Sequence, residues 1–437
     1  MLQRKAMKRF EFWKQSKTKQ ALLVTGARQV GKTYLIRAFA EAKYEHFVEF
    51  NLIENKTAGD SFNESASAED LMFRITVASP GKLYHGKTLI FIDEIQEFPE
   101  IITYIKFLVD KGEYDFVLSG SMLGVELENV RSYPVGYLSE IIMYPMDYEE
   151  FCWAGGLTEE AMKVLRECFD SRKPIPDYLY KRLSDLFHRY LLVGGMPDAA
   201  VAFFEKNSLD QVRVIQDNII TYYEKDISKY APKDRRLVIK NIFGLIPSEL
   251  SSQNKRFKLS SIDNIKRYSQ VEDEFLWLTK ANVALPAYNT RAPISPLLLS
   301  ENHKLFKLFL SDVGLLSSRY PKDHSIEVLD GKPRKNMGGI YENFVAQELT
   351  THGFALHYYS SKKIGELDFV IEGRDGTITA LEVKSGSEYK THAALNNALA
   401  VKEYDIGEAF VFAETNIEVY EKVTYFPAFL VSLLTNE

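Results

Sequence analysis

Residues 21–33 read Ala21-Leu22-Leu23-Val24-Thr25-Gly26-Ala27-Arg28-Gln29-Val30-Gly31-Lys32-Thr33, and this stretch decides the fold of the first part of the chain. Its apolar opening is typical of a buried strand, and residues 34–39 continue it as a predicted helix. Between them lies the pattern G-x-x-x-x-G-K-[ST] of a phosphate-binding loop. We therefore expect a strand, a glycine loop and a helix in that order.

Each residue type of this loop suits the binding of phosphate. Gly26 and Gly31 can adopt backbone angles that a Cβ atom disfavours, so the loop can wrap closely around an anion and offer it N–H groups. Lys32 and Thr33 then begin a helix whose N-terminal end carries partial positive charge. In loops of this pattern the lysine reaches the terminal phosphates and the hydroxyl group holds magnesium. ATP and Mg²⁺ are the predicted ligands.

The whole chain, with 437 residues, has an ordinary globular composition: 46% apolar, 26% charged and 13% aromatic. Its length predicts about two to four domains. Two cysteines, Cys152 and Cys168, are too few for a disulfide framework or a cysteine-rich metal site, which favours a reducing, cytoplasmic location. Residues 1–19 lack the apolar core of a secretory signal, and no run of about 18 apolar residues predicts a membrane span. The net charge of −6 disfavours a wholly basic surface but leaves a local basic groove open.

Two acids follow a strongly apolar strand further along the chain. Residues 88–92 form a continuous apolar run, typical of a strand buried on both faces of a parallel sheet, and Asp93 and Glu94 come directly after it. Ligands of open α/β sheets bind at the carboxyl ends of the strands, so we expect Asp93 beside Thr33 and the magnesium ion. Glu94 is then suited to orient or deprotonate the attacking water.

Another strand, predicted over residues 115–121, ends in small polar residues. Ser119 or Ser121 can sense the γ-phosphate or the attacking water by hydrogen bonding, and an ordinary Ser-Gly turn explains the same residues equally well. The predicted catalytic residues are Lys32, Glu94 and Ser119. The predicted nucleotide-binding residues are Gly26, Ala27, Arg28, Gln29, Val30, Gly31, Lys32, Thr33 and Asp93, with Thr33 and Asp93 as the magnesium ligands.

This order of phosphate loop, Asp-Glu strand and polar-ended strand resembles the AAA-type ATPases. More narrowly, the chain resembles the bacterial and archaeal group in which such an ATPase domain is fused to a C-terminal region of unknown function. Residues 119–121 with 132–136, residues 144–151 and residues 190–197 carry this narrower resemblance, which covers nearly the whole chain. It implies an ATPase with Walker A and Walker B motifs and helices on both faces of a parallel sheet.

One position departs from that group. Many relatives carry an arginine after the glycine that corresponds to Gly136, whereas this chain has Tyr137. An arginine finger that would reach a neighbouring subunit is therefore in doubt. Arg131 is the nearest candidate, and an ordinary surface arginine is the alternative. An oligomer is compatible with the sequence but is not established by it.

The middle of the chain predicts a helical lid or connector over residues 155–189 and a sharp bend at residues 194–197. The following segments, including a short strand at 257–259, a helix at 261–268 and strands at 283–288 and 304–310, predict a winged helix. Its second helix, with Asn264, Lys266 and Arg267, can lie in a DNA major groove. A protein-contact module is the alternative.

The last part opens with an amphipathic helix predicted over residues 338–349. Asp368 then stands in one predicted strand, and Glu382 and Lys384 stand on the next. With Glu342 on the helix, this arrangement resembles the core of PD-(D/E)XK nucleases, which implies a second site with bound Mg²⁺ or Mn²⁺. Surface charges on a strand pair are the alternative.

Three parts follow from these observations. We predict an AAA-type ATPase domain with a helical lid at residues 1–190, a helical and winged-helix-like region at 191–330, and a nuclease-like α/β domain of restriction-endonuclease type at 331–437. The predicted activity is magnesium-dependent ATP hydrolysis that is coupled to the handling of DNA or RNA. The alternative is a nucleotide-gated regulatory or interaction protein whose nuclease-like tail no longer cuts.

Overall fold

The structure is a computed structural model, and it describes residues 2–121, 134–252, 254–262, 265–329, 337–386 and 388–436. The chain divides into two compact units. The N-terminal unit comprises residues 4–144 and 280–282, and the C-terminal unit comprises residues 1–3, 145–279 and 283–437. Within the described part of the chain, no helix is long and apolar enough to cross a membrane.

The N-terminal unit is built on a parallel sheet of five strands. The strands are Ala21–Thr25 (β1), His46–Asn51 (β2), Thr88–Asp93 (β3), Asp115–Ser119 (β4) and Leu138–Ile142 (β5). Their spatial order is β2-β3-β4-β1-β5, and every neighbouring pair is parallel. The described helices are Ala6–Ser16 (α1), Lys32–Lys43 (α2), Lys56–Asn63 (α3), Ala68–Ala78 (α4) and Ile101–Lys111 (α5). The predicted parallel α/β sheet is confirmed.

The sheet order brings the predicted site residues to one edge. Every residue of β1 and β3 is buried, as expected for central strands of a parallel sheet. Strand β4 lies between them and pairs with both. Because the three strands run in the same direction, their carboxyl ends meet at one edge, where the phosphate loop, Asp93 and Ser119 follow or end them.

Helix α1 packs on the helix that follows the phosphate loop. Phe10 and Trp13 are buried, and their ring centroids lie 5.5 and 6.3 Å from that of Phe39 in α2. The Arg4 guanidinium, just before α1, donates to the carbonyl oxygens of Val30 at 2.8 Å and Tyr144 at 2.7 Å. The region before the first strand is therefore part of the support of the loop.

The C-terminal unit contains a mixed sheet of eight strands. They are Ala284–Thr290 (β6), Glu301–Leu310 (β7), His357–Ser361 (β8), Gly365–Glu372 (β9), Ile378–Val383 (β10), Ile406–Ala413 (β11), Glu418–Tyr420 (β12) and Val423–Pro427 (β13). Their spatial order is β12-β13-β11-β10-β9-β8-β6-β7. Strands β9 and β10 form the antiparallel hairpin expected around residues 373–376.

Helices of this unit begin with Tyr148–Ala154 (α6), Glu159–Ser171 (α7), Asp177–Val193 (α8), Pro197–Lys206 (α9), Leu209–Tyr230 (α10), Arg236–Leu250 (α11) and Glu272–Lys280 (α12). They continue with Val313–Ser317 (α13), Lys322–Leu329 (α14), Gly338–Thr351 (α15) and Ala393–Leu399 (α16). Helix α15 was expected to be amphipathic, and this expectation is wrong, because all its side chains from Gly339 to Leu349 are buried. It contacts β6, β7 and β10 as well as α8, α11 and α13, so no face remains for solvent.

The helix predicted over residues 261–268 is also not formed by the described residues there. Two short 3₁₀ turns, Leu259–Ser261 and Tyr268–Gln270, stand in its place. The Gln270 side chain accepts hydrogen bonds from the backbone N–H groups of Lys266 and Arg267, which fixes a turn. Asn264 lies outside the described residues. The strand predicted at residues 257–259 is likewise absent from the described structure. The Phe257 N–H donates one hydrogen bond to the Phe306 carbonyl there.

Strands β6 and β7, which were expected to form the wing, belong instead to the eight-stranded sheet. Strand β6 pairs antiparallel with β7 and parallel with β8, so backbone hydrogen bonds link residues on both sides of position 330. The two compact units divide the chain near residue 144, whereas the predicted boundaries stand at residues 190 and 330.

The bend predicted at residues 194–197 is held by a buried carboxylate. Asp312 accepts hydrogen bonds from the backbone N–H groups of Gly195 at 2.6 Å and Leu315 at 2.9 Å. A Cβ atom on Gly195 would lie 1.9 Å from the Met146 carbonyl oxygen, so the bend requires glycine there. Complete burial raises the pKa of Asp312 from 3.8 to about 6, although its backbone hydrogen bonds act in the opposite direction.

The raised pKa of Asp312 predicts that the free energy of unfolding depends on pH. Because the pKa of Asp312 is higher in the folded chain than in the unfolded chain, its contribution is greatest below about pH 4 and is lost as the pH rises to about 6. We expect Asp312→Asn to lack this loss, so the free energy of unfolding of the wild type should fall relative to the variant by about 1–3 kcal/mol across that interval. Denaturant unfolding at a series of pH values measures it, and a difference that does not change with pH would contradict the assignment.

Candidate functional site

The phosphate loop has the backbone angles that its sequence predicts. Gly26 and Gly31 have φ values of 132° and 91°, and Gln29 also has a positive φ of 64°. The Lys32 ammonium group is buried and donates to the carbonyl oxygens of Gly26 at 2.9 Å and Ala27 at 2.8 Å. The lysine is therefore held directly over the loop by the loop's own backbone.

Asp93 is the centre of a buried set of hydrogen bonds. The Thr33 hydroxyl group donates to Asp93 Oδ2 at 2.8 Å, and the Ser119 hydroxyl group donates to Asp93 Oδ1. The backbone N–H of Glu94 donates to Asp93 Oδ1 at 3.0 Å. The structure thus brings together four of the residues that the sequence singled out. Ser121 is buried as well, but its hydroxyl group has no hydrogen-bond partner among the described residues.

Asn51 joins this set and was missed by the sequence analysis. It ends β2 opposite Asp93, and its Nδ2 donates to Asp93 Oδ2 at 3.4 Å. Its Oδ1 accepts from the N–H groups of Ile53 and Glu54, which orients the amide group. The sequence does show a polar residue at the end of this strand. Only the pairing of β2 with β3, however, places that residue beside Asp93.

Glu94 has an unusual backbone conformation. Its φ of 60° and ψ of 44° lie in the left-handed region, which costs free energy for a residue with a side chain and which is frequent at functional sites. Its carboxylate accepts a hydrogen bond from the Gln96 side chain, a second residue that the sequence analysis missed. Glu94 is therefore held next to Asp93 while its side chain stays partly accessible.

The donor atoms at this edge suit a magnesium ion. The Thr33 hydroxyl oxygen and the Asp93 carboxylate are hard oxygen ligands only 2.8 Å apart, and Mg²⁺ is commonly held by one or two carboxylates with phosphate oxygens and water. The residues present therefore fit a magnesium ion that accompanies a nucleotide.

Tyr137 and Arg131 are the two residues that concern a possible arginine finger, and the structure describes only Tyr137. Tyr137 is partly buried against the core of the N-terminal unit, and its backbone carbonyl accepts from the N–H of Ala21 at 2.9 Å. Arg131 lies outside the described residues, as do Ser132 and Tyr133. Tyr137 is thus a packing residue at the start of β5.

In the C-terminal unit, the predicted acids surround a lysine that the sequence analysis did not single out. The ammonium group of Lys307 on β7 is completely buried and lies 3.1 Å from Glu342, 2.9 Å from Glu366 and 3.9 Å from Asp368. Lys255 forms a second ion pair with Glu342. Burial lowers the pKa of Lys307, but the nearby carboxylates outweigh it and hold the pKa above its usual value.

Glu382 and Lys384 complete this group, which we call the acid cluster (Glu342, Glu366, Asp368, Glu382, Lys255, Lys307 and Lys384). Glu382 lies 3.2 Å from the Lys384 ammonium. Burial and then the charge of Asp368 raise the pKa of Glu382 from 4.5 to about 8. Asp368 accepts a hydrogen bond from the Val383 N–H at 2.8 Å, which links this side chain of β9 to the backbone of β10.

A different set of residues has the spacing of metal ligands. Asp147, Glu348 and His352 are buried, and one ligand atom from each lies within 4.8 Å of the others. Within the described residues this is the one such group found, so Glu342, Asp368 and Glu382 do not form one. His352 Nε2 lies 3.1 Å from Asp147, whose other oxygen accepts from the Glu150 N–H at the start of α6. These bonds connect α15 with α6.

Three regions of the chain match known protein families. Residues 18–152 match a family described as an AAA domain. Residues 184–323 match a domain of unknown function (DUF8612), and residues 337–429 match another domain of unknown function (DUF4143). Among curated proteins, none matches this chain.

Solved structures show distant similarity. The Walker-type ATPase PABY2304 of Pyrococcus abyssi is 13% identical, with a TM-score of 0.42, over 73% of this chain and 95% of that one. Pif1 helicase from Candida albicans is 14% identical, with a TM-score of 0.25, over 42% of this chain and 47% of that one. PCH-2 of C. elegans is 14% identical, with a TM-score of 0.23, over 42% and 55%. Similarities this low carry no argument about function.

The family match and the parallel sheet define the class. The match of residues 18–152 to an AAA domain, with the parallel sheet, supports the predicted class, an AAA-type P-loop ATPase, for this part of the chain. ATP binding and ATPase activity are supported at the level of this family. The two later matches are to domains of unknown function, so the nuclease-like core stays a prediction.

The loop geometry predicts the effect of a small substitution. A Cβ atom on Gly26 would lie 2.1 Å from the Met143 carbonyl oxygen, and its φ is positive. We expect Gly26→Ala to destabilise the chain by about 1–3 kcal/mol and to weaken ATP binding at least tenfold. Gly81→Ala is the matched control, because nothing lies within 4 Å of a Cβ atom there. Denaturant unfolding and titration with a fluorescent ATP analogue measure both effects, and equal behaviour of the two variants would refute the argument.

Proposed function

We propose that this protein is a magnesium-dependent ATPase whose nucleotide state is coupled to the handling of nucleic acid. The proposal rests on the hydrogen bonds that Asp93 accepts. They come from the Thr33 hydroxyl group next to the phosphate loop, the Ser119 hydroxyl group at the end of β4 and the backbone N–H of Glu94. A buried carboxylate held by a hydroxyl group of the phosphate loop is the arrangement that a nucleotide-bound magnesium ion requires.

Each residue has a distinct part in this proposal. The N–H groups of residues 26–31 and the Lys32 ammonium bind the phosphates. Thr33 and Asp93 hold magnesium, which neutralises the charge of the phosphates when bound. Glu94 orients the attacking water and accepts its proton. Ser119 fixes the orientation of the Asp93 carboxylate, since its hydroxyl group already donates to it.

Two substitutions separate nucleotide binding from hydrolysis. Lys32→Ala should abolish ATP binding or nearly so, because the phosphates lose their main positive partner. Glu94→Gln should keep ATP bound and hydrolyse it about 10²–10⁴-fold more slowly, because it removes the base and keeps the magnesium ligands. Titration with a fluorescent ATP analogue measures binding, and turnover of ATP and GTP, with and without DNA or RNA, measures hydrolysis. Glu54→Gln, an exposed acid near the end of β2, is the control. Hydrolysis by Glu94→Gln at the wild-type rate would show that the role given to Glu94 is wrong.

The coupling to nucleic acid has its own test. Stimulation of ATP turnover by DNA or RNA, and loss of the stimulation at high salt, supports it because contacts to phosphates release counterions. ATP turnover that is indifferent to both nucleic acids favours the second candidate, a nucleotide-gated regulatory or interaction protein.

One observation favours that second candidate for the C-terminal unit. In a metal-dependent nuclease, a cation at the acidic residues is the bound metal ion. Here the buried Lys307 ammonium already lies beside Glu342, Glu366 and Asp368, and Lys255 pairs with Glu342. The acid cluster is thus balanced by side chains of the chain itself, which supports a tail that does not cut.

Removing this internal cation tests the tail. Lys307→Met leaves buried carboxylates without their partner, and we expect a loss of stability of about 3–5 kcal/mol. Mn²⁺, without nucleotide, should restore stability in Lys307→Met and should have little effect on the wild type. Thermal unfolding with and without Mn²⁺ measures this, and adding Asp368→Asn should remove the rescue. Mn²⁺ stabilisation of the wild type that Asp368→Asn abolishes, together with cleavage of labelled DNA, would instead establish the nuclease.

A further inference from the structure

Helix α1 has two faces of opposite character. Phe10 and Trp13 are buried against α2, whereas Lys8, Arg9 and Phe12 are exposed. Residues three and four positions apart share a side of a helix, so Lys8 and Arg9 lie one turn from Phe12 on the outer face. Phe12 is 74% exposed. We call Lys8, Arg9 and Phe12 the basic face.

The charge of this segment is opposite to that of the rest of the chain. Residues 2–20 contain seven Lys or Arg residues and one acid, Glu11, a formal charge of +6. The whole chain carries −6, so the remaining residues carry −12. A basic segment on an acidic protein is typical of an interaction with a polyanion.

The cations of the basic face are not paired with acidic side chains among the described residues. Within the described residues, the side chains of Lys8, Arg9 and Lys17 form no ion pair and no hydrogen bond, and the charge of Arg9 acts on the hydroxyl group of Tyr144. The single acid of the segment, Glu11, pairs with Lys43 at 2.6 Å. Lys14 is occupied with the ring of Tyr44. Lys8 and Arg9 therefore lie one helical turn from the exposed ring of Phe12.

We propose that the basic face binds the phosphate backbone of single-stranded nucleic acid, with Phe12 stacking on a base. Successive phosphates suit the neighbouring cations Lys8 and Arg9, and an exposed aromatic ring beside cations is the usual platform for unpaired bases. A membrane surface fits less well. A helix at the membrane interface needs a broad apolar face, and the apolar face of α1 is buried on α2, which leaves only Phe12 exposed.

The position of α1 gives this binding a route to the nucleotide site. Its inner face packs on Phe39 of α2, the helix that begins at Lys32. Arg4, two residues before α1, donates to the Val30 carbonyl of the phosphate loop. A nucleic acid bound to the basic face would therefore contact a helix that is linked to the phosphate loop in two ways, through Phe39 of α2 and through Arg4. This coupling rests on the ATPase function proposed above, whereas the binding itself does not.

The test compares the binding of a fluorescent oligothymidylate of about 20 nucleotides, long enough for a module of this kind, to several variants of the full chain. Lys8→Glu/Arg9→Glu should weaken binding at least tenfold at low salt. Its slope of log affinity against log salt should be less steep by about 1.4, since two phosphate contacts are lost. Phe12→Ala should weaken binding about 5- to 100-fold and leave the salt slope unchanged.

The matched control is Lys163→Glu/Lys181→Glu, which reverses two exposed charges on α7 and α8 and changes the net charge equally. Its affinity should stay within about twofold of the wild type. Thermal unfolding checks that each variant is folded. ATP turnover without nucleic acid should stay at the wild-type rate in every variant, which separates a failure of this inference from a failure of the ATPase proposal.

Three results would overturn the inference. The first is a wild-type chain that does not bind the oligonucleotide. The second is an equal loss of affinity in the control and the Lys8→Glu/Arg9→Glu variant, which would reflect net charge alone. The third is binding to vesicles of phosphatidylcholine and phosphatidylserine, lost in Lys8→Glu/Arg9→Glu, without binding to the oligonucleotide.

Discussion

The N-terminal unit depends on one buried anion. The Asp93 carboxylate is 2% exposed, and burial of a charge is costly unless hydrogen bonds replace the lost water. Here the donors come from the start of α2, the ends of β2 and β4, and the residue after β3 itself. One carboxylate therefore aligns four segments at the carboxyl edge of the sheet. The phosphate loop belongs to the same edge because β1 runs parallel to β4 and lies beside it.

The C-terminal unit uses a buried cation in a comparable way. Lys307 on β7 is completely buried, and its ammonium group joins Glu342 of α15 to Glu366 and Asp368 of β9. Neither sign of charge is stable alone in this interior, so the ion pairs and the packing of α15 on the sheet support one another. The same charge balance that holds the fold decides whether a metal ion is needed at the acids.

The exposed charges of α1 have a different physical meaning from these two buried centres. Water solvates Lys8, Arg9 and Lys17, so they contribute little to folding, and their concentration on an otherwise acidic chain is unexplained by stability. The aromatic side chains on the opposite face of the helix account for its place on α2. The two faces thus serve packing and surface charge separately.

The sequence by itself determined the strand, loop and helix around Gly26–Thr33 and the acidic end of β3, because these depend on residues close together in the chain. The prediction of an amphipathic helix at α15 was wrong, because every face of this helix is buried. The prediction of a helix over residues 261–268 was also wrong, because the Gln270 side chain fixes a turn there. Only the tertiary structure decided the parts played by Asn51 and Lys307. Asn51 meets Asp93 through the pairing of β2 with β3, and Lys307 meets a carboxylate 35 residues away through the packing of α15 on β7. Such contacts depend on strand order and packing across the fold, which no local pattern of residues specifies.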